Sequence, residues 1–504
     1  MRKIYTMGAV LVAGALVLTG CASTAPEAEE ETGPIELVIG NNGDAITWDP
    51  AEMKEGAIIQ YAEAIYDPLL RKTADAQIEG NLATDFEYNE DLTQLTLTLQ
   101  EGITFSDDEP FNADAVKANI EARKLGAGSA SEAAKSIEEV VIVDDTTVEL
   151  DLVAPNPGLL SALATYLGFM ASPAAIEAGT LGTDPIGSGP YVLNKADSEP
   201  AVSYSFDARD GYWNADAFPY DTLVIKPYTD FTARYNALAT GQIQFMYGTA
   251  DMVETAEADG LTVQTVPGEW QGVIMQDRAG SVLPALGDVR VRQAINYALD
   301  RETILDTYYN GLGQVSTQTF NPASDAWIDE LNEEYPYDPE KAKDLLAEAG
   351  VENLSIEFDV PTRPYATAVS EVVVSQLAEV GITATINSTE FPAVWLDKVF
   401  TKHEYQMSVI LAVEARDLLP TFNVPTYYIG YDNSVIAPLA IAADQASEEE
   451  WIAGMKEITE QIVADVPAVP LFLFPNIVVA DAELTGIAGN SVTESLVLSG
   501  LAWK

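Results

Sequence analysis

Residues 337–386 alternate between two local signals, and that alternation limits the folds open to the chain. In YDPEKAKDLLAEAG (337–350), Asp338 stands at a helix cap, Pro339 in the first turn and Gly350 just past the end. From Tyr365 a second apolar stripe runs through Val369, Val373, Leu377 and Val380, and Gly381 stops it. Ile382-Thr383-Ala384-Thr385-Ile386 then has the pattern of a strand. Helix, glycine and strand in succession form the unit from which α/β lobes are built.

Other segments fit the same class. Leu95, Leu97 and Leu99 alternate with Thr and Gln, and Val148, Leu150 and Leu152 repeat the period-two signature, as does Tyr204 with Phe206. Asn112 is placed to cap a helix carrying Val116 and Ile120, and Asp288 another with Val291, Ile295, Ala298 and Leu299 on one face. Near the C-terminus, a helix from Glu448 to Ala464 is expected to end before Pro467 and Pro470, with an apolar strand from Leu471 to Phe474. A chain of 504 residues has room for two to four domains.

Composition then excludes several functions. With 79 Asp and Glu against 25 Lys and Arg, the formal charge of −54 argues against a nucleic-acid partner, which needs a basic footprint. One cysteine and one histidine rule out an internal disulfide, a multi-cysteine cluster and a histidine-rich metal site. No cofactor is expected.

The lone cysteine has a context of its own. Arg2 and Lys3 precede an apolar stretch from Met7 to Leu18, shorter than the roughly 20 residues of a bilayer span and suited to an export signal. Leu18-Thr19-Gly20-Cys21 resembles a bacterial lipobox, in which cleavage before the cysteine leaves it lipid-modified. Residues 1–20 are thus expected to be a signal peptide and 21–34, ending ASTAPEAEEETGP, a flexible acidic tether. The expected location is the outer face of a bacterial cytoplasmic membrane.

Catalytic constellations are sparse. His403, in the polar stretch TKHEYQ, is the only imidazole, and it reads as a surface residue. Gly187-Ser188-Gly189 lacks the full GxSxG elbow, and there is neither a GxxxxGK[ST] loop nor an HExxH helix. Paired carboxylates arise by chance among so many acids, so a secreted carboxylate-dependent hydrolase stays as the rival class. The expectation is a protein that is not an enzyme.

Seven ordered motifs carry a resemblance. Tyr66-Asp67-Pro68-Leu69 is followed by LATDFEYNEDLTQLTLTLQEGITFSDDEPFNADAVKANI (82–120), with Asp108 where a glycine is usual. Pro185-Ile186-Gly187-Ser188-Gly189-Pro190-Tyr191, Tyr212-Trp213, and Ala237-Leu238 with Gly241-Gln242-Ile243 come next; GDVRVRQAINYALDRE (287–302) and the helix at 337–350 complete the set. Together they resemble the solute-binding lipoproteins of ABC importers, in the extracellular family 5 whose members bind peptides, nickel complexes and opines. The resemblance implies an α/β, two-lobed periplasmic-binding-protein type II fold, a Venus flytrap with ligand between the lobes. It places lobe I at 35–275 with an inserted subdomain at about 65–182, lobe II at 276–470, and a return to lobe I at 471–504. It implies a monomer that delivers ligand to an ABC permease driven by a separate ATPase.

The same resemblance bears on the ligand. Arg363-Pro364-Tyr365 matches the "RPY" of dipeptide binders, whose arginine pairs with the ligand carboxylate. The family's amine clamp, an aspartate in "GWxxD", has no counterpart in Val409-Ile410-Leu411-Ala412-Val413-Glu414-Ala415-Arg416-Asp417; Glu414 or Asp417 stands in its place. Trp48, Trp270, Trp395, Tyr427 and Tyr428 are candidate aromatic walls. A dipeptide or oligopeptide is the leading expectation, with an oligosaccharide or a nickel chelate as alternatives.

Overall fold

Two long antiparallel strands, Thr262–Met275 and Ala468–Ala480, run side by side through the middle of the molecule. The second, AVPLFLFPNIVVA, is buried along almost its whole length, which explains its near-continuous apolar sequence. The computed structural model describes residues 35–53, 58–72, 78–89, 93–126, 129–153, 156, 159–276, 278–281, 283–320, 322, 327–391, 393–411, 422, 429–444, 448–487 and 497–504. Among these, both strands belong to an eleven-stranded sheet with a separate core at either end.

At one end the strands are Phe245–Tyr247, Glu36–Asn41, Thr222–Pro227, Ser203–Ala208 and Tyr191–Glu199, in that spatial order. One face packs on helix Ile59–Ile65 through Ile59, Ala62 and Ile65, and the other on helix Phe231–Ala239 through Tyr235 and Leu238. At the other end lie Met407–Leu411, Leu354–Pro361 and Ile382–Thr389. Ile356, Phe358 and Val360 meet the helices that carry Val291, Ile295, Leu346, Val369 and Val373, while Trp270, Ile274 and Ile410 meet Ile458 and Ile462 behind the sheet. Helices on both faces of a mixed sheet, parallel within each lobe's centre and antiparallel at the crossing pair and the outer hairpin, define two α/β lobes.

The caps read from sequence are formed. Asn112, Asp288 and Asp338 accept backbone hydrogen bonds from Ala115, Arg290 and Lys341 respectively. Two expectations are corrected. The helix begun by Asp288 ends at Tyr297, and Asp300 caps a second, Arg301–Tyr309, yet Ala298 and Leu299 still pack in the core. The C-terminal strand does not start after Pro470; it runs from Ala468 through Pro470 and Pro475. Proline removes a ladder donor, and within a sheet it is tolerated at bulges. The register shifts between Pro267 and Trp270 and between Gln271 and Gly272, next to the Pro267–Pro475 and Gly272–Pro470 pairings, supply that irregularity.

A four-stranded antiparallel sheet, Ala83–Tyr88, Gln94–Leu99, Thr147–Leu152 and Ile137–Asp144, is separate from the main one. Helix Ala113–Lys124 packs on it through Val116 and Ile120. Several sequence motifs converge where it adjoins the first lobe. Asp67 is buried and accepts hydrogen bonds from Tyr212 Oη (2.7 Å) and Trp213 Nε1 (3.1 Å), while its amide donates to Ser188 Oγ (3.0 Å). Arg209 donates to the carbonyls of Ser188 and Thr104. A Cβ on Gly187 would lie 2.1 Å from the Ile65 carbonyl oxygen, so that crossing requires glycine. Asp108 has φ +66°, the conformation for which glycine is the usual choice and which an aspartate adopts more readily than most residues.

Candidate functional site

Strand polarity locates the site. The first crossing strand runs from the lobe containing Glu36–Asn41 into the lobe containing Leu354–Pro361, and the second runs back. Phe245–Tyr247 is antiparallel to the second crossing strand, and Glu36–Asn41 and Thr222–Pro227 follow its direction, so all three point toward the other lobe. Met407–Leu411 is antiparallel to the first crossing strand, and Leu354–Pro361 and Ile382–Thr389 run parallel to Met407–Leu411. They point back. The carboxyl ends of the parallel strands in the two lobes therefore face each other across the crossing pair. Ligands in open α/β sheets bind at such ends, where loops carry the functional side chains.

In the first lobe the facing loop is 42–49. Tyr61 Oη donates to the Gly43 carbonyl (2.8 Å), Tyr204 Oη to Asp44 Oδ1 (2.7 Å) and Tyr66 Oη to the Trp48 carbonyl (2.7 Å). Burial, with the Asp44 carboxylate beside it, pushes the Tyr204 hydroxyl up and keeps it a donor. Trp48 is half-buried and meets Tyr61, Tyr204 and Phe206 edge to face at 5.3–6.0 Å. Three phenols thus bolt the loop down.

In the second lobe Arg363 follows Leu354–Pro361 and precedes helix Pro364–Glu379, its carbonyl accepting from Ala366 and Thr367. Its side chain is exposed, and its guanidinium lies 4.7 Å from the centre of the Phe391 ring, a cation–π contact that orients the fork. Among the described residues Arg363 makes no ion pair. The turn it occupies is tied to the crossing strand: Gln271 Nε2 donates to the Tyr365 carbonyl (3.1 Å), and Tyr309 Oη donates to Gln271 Oε1 (2.9 Å). Gln271 is fully buried at the register shift. Tyr309 also packs against the core of the first lobe, and the neighbouring Asn310 donates to the Ala250 carbonyl (3.3 Å), so this helix end touches both lobes.

The other expected site residues are placed unevenly. Trp270 is 0% exposed and Trp395 2%, both within the core of the second lobe; Trp395 Nε1 donates to Ser408 Oγ (3.1 Å). These two indoles are core, not open walls, because apolar helices cover the faces from which they project. Beside Trp395, Asp359 is 1% exposed and paired with Lys398 at 2.6 Å. Glu414, Asp417, Tyr427, Tyr428 and Cys21 lie outside the described residues. Gln271, Tyr309 and Phe391 support the site without having been singled out from sequence. Only Phe391 had a sequence cue, an aromatic just past a strand with proline following.

Residues 77–431 match the family model for bacterial extracellular solute-binding proteins, family 5 middle. The glutathione-binding protein GsiB of Escherichia coli (strain K12) is 28% identical over 400 residues, covering 77% of this chain and 75% of its own. HbpA2 from Haemophilus parasuis superposes with a TM-score of 0.80 at 23% identity, over 93% of this chain and 100% of that one. The periplasmic binding protein DppA from Helicobacter pylori, solved in complex with the peptide STSA, gives 0.73 at 22% identity, over 93% and 98%. These likenesses show the two-lobed periplasmic-binding-protein type II fold.

Proposed function

The chain belongs to the bacterial extracellular solute-binding proteins of family 5, and on that premise we propose that it captures a short peptide between its lobes and hands it to an ABC permease. As a solute-binding protein it exchanges its ligand without altering it. Closure draws its free energy from contacts made only when ligand bridges the lobes.

The observation that carries the peptide reading is Arg363. Among the described residues Arg123, Arg209, Arg278, Arg292 and Arg301 turn their guanidinium groups onto backbone carbonyls, and Arg71 and Arg290 onto carboxylates; Arg363 instead is exposed, lies against the Phe391 ring, and stands on the facing ends of the strands. A guanidinium held flat on an aromatic ring suits a ligand carboxylate. The peptide and glutathione in the names of the relatives are both short peptides with free carboxylates. Glu414 or Asp417 would receive the amine.

The lobes on this reading are 35–275 with a subdomain at about 65–182, 276–470, and a return at 471–504. The mature protein would act as a monomer, tethered by a lipid on Cys21 to the outer face of the cytoplasmic membrane. Calorimetric titration with tripeptides, glutathione and C-terminally amidated controls tests the ligand class. Arg363→Ala should weaken free-carboxylate peptides by about 2 kcal/mol and leave the amidated ones nearly unchanged. Equal affinity of mutant and wild type for every peptide would remove Arg363 from the site. Membrane fractionation of Cys21→Ala checks the tether: the variant should be released.

A further inference from the structure

We propose that the site selects peptides with an apolar side chain beside the carboxylate, gripped between Ile46 of the first lobe and Val394 of the second. This rests on the peptide reading above and adds what the peptide must carry.

Ile46 is 87% exposed, yet its loop is not slack. Tyr61, Tyr204 and Tyr66 fix the backbone or side chains of Gly43, Asp44 and Trp48 on either side of it. The isoleucine is held out by a loop anchored on both sides of it, at Gly43 and Asp44 and at Trp48. Val394 is 52% exposed on the short helix Ala393–Leu396. That turn is fixed too, because Trp395 is buried, its indole bonded to Ser408 and its amide to the Glu390 carbonyl. Val394 lies three residues after Phe391, the ring under the Arg363 guanidinium, so the apolar contact sits next to the carboxylate contact.

Exposed apolar residues occur elsewhere, as at Leu125 and Val153. What separates Ile46 and Val394 is position. Each follows the carboxyl end of a parallel strand, and strand polarity turns those two ends toward one another. A β-branched side chain has few rotamers to lose on contact, so a fixed loop presenting one makes a preorganised grip. Phe231, partly exposed and capping the Arg234 guanidinium after the strand Thr222–Pro227, adds apolar surface at the same end of the first lobe.

The test is calorimetric titration of Ala-Ala-Leu and Ala-Ala-Ser against the wild type, Ile46→Asn and Val394→Asn. The wild type should prefer the leucine peptide by about tenfold or more. Each variant should lose about tenfold for Ala-Ala-Leu and far less for Ala-Ala-Ser, collapsing the ratio. Both sites are exposed, so the variants should fold, and binding of the serine peptide reports that they do. Equal losses for both peptides would overturn the inference, since they would mark a contact between lobes instead of a grip on the side chain. Unchanged affinity for both would overturn it as well. A wild type that binds both peptides without preference sinks this inference alone; one that binds no peptide sinks the peptide reading too.

Discussion

Gly268→Ala on the first crossing strand probes whether tight packing at the strand irregularity holds the lobes together. Gly268 does not have a positive φ, so alanine meets no backbone penalty there. The cost is steric. An added Cβ would lie 2.4 Å from Nδ2 of Asn476 and 2.8 Å from its Cγ, on the second crossing strand. Asn476 is buried and cannot swing freely, because its Oδ1 accepts a 2.9 Å hydrogen bond from Tyr247 Oη. Overpacking of this kind costs about 1–3 kcal/mol, and losing the hydrogen bond about 1 kcal/mol more. The expected destabilisation is about 2–4 kcal/mol, read from urea denaturation of the purified protein. Tyr247→Phe alone should cost about 1 kcal/mol. If displacement of Asn476 is the mechanism, the two substitutions share one loss, and the double variant should fall about 1 kcal/mol short of the sum. A Gly268→Ala protein within about 0.5 kcal/mol of wild type, or strict additivity, would refute the reasoning.

Three further outcomes follow from the structure. Burial raises Asp67 from 3.8 to about 6, against the opposing pull of Tyr212, Trp213 and Arg209. The folded state then holds that proton more tightly than the unfolded chain, so this group adds stability as pH falls through 6 toward 4, by about 3 kcal/mol in all; stability of wild type minus Asp67→Asn should rise over that window, and a flat difference would contradict it. Asp108→Gly should stabilise the fold by about 0.5–1 kcal/mol by relieving the left-handed backbone, measured by denaturant midpoint, and a loss of stability would show that the carboxylate matters more. Lys398→Met strands the Asp359 carboxylate; a fully buried pair would cost about 3–5 kcal/mol, and the 31% exposure of Lys398 lowers the expectation to about 2 kcal/mol, with Asp359→Asn in the same background recovering part of it.

Much of this fold is legible in the chain because its signals are local. Leu95, Leu97 and Leu99 alternate because one face of their strand is buried, and Asn112, Asp288 and Asp338 cap helices through bonds that reach two or three residues. Gly350 and Gly381 end helices at φ of +70° and +87°, a choice made within one residue. The Arg363-Pro364-Tyr365 motif could be picked out for the same reason, although nothing local said whether the arginine was paired.

What needed the tertiary structure is whatever depends on a partner far along the chain. Pro470 and Pro475 read as stops, and only the shifted register against Pro267–Gly272, some 200 residues earlier, shows how a strand passes through them. Trp270 and Trp395 have the same composition as a ligand wall, and only the helices packed over them make them core. Asp67 gives no sign of burial until Tyr212, Trp213 and Ser188 close around it. The chain by itself determined the elements, their order and the lobe class, because caps, periods and turns act over a few residues. Only the tertiary structure decided that two sets of strand ends face each other with Arg363 on one and Ile46 on the other, because direction in a sheet is a relation between strands and no single segment contains it.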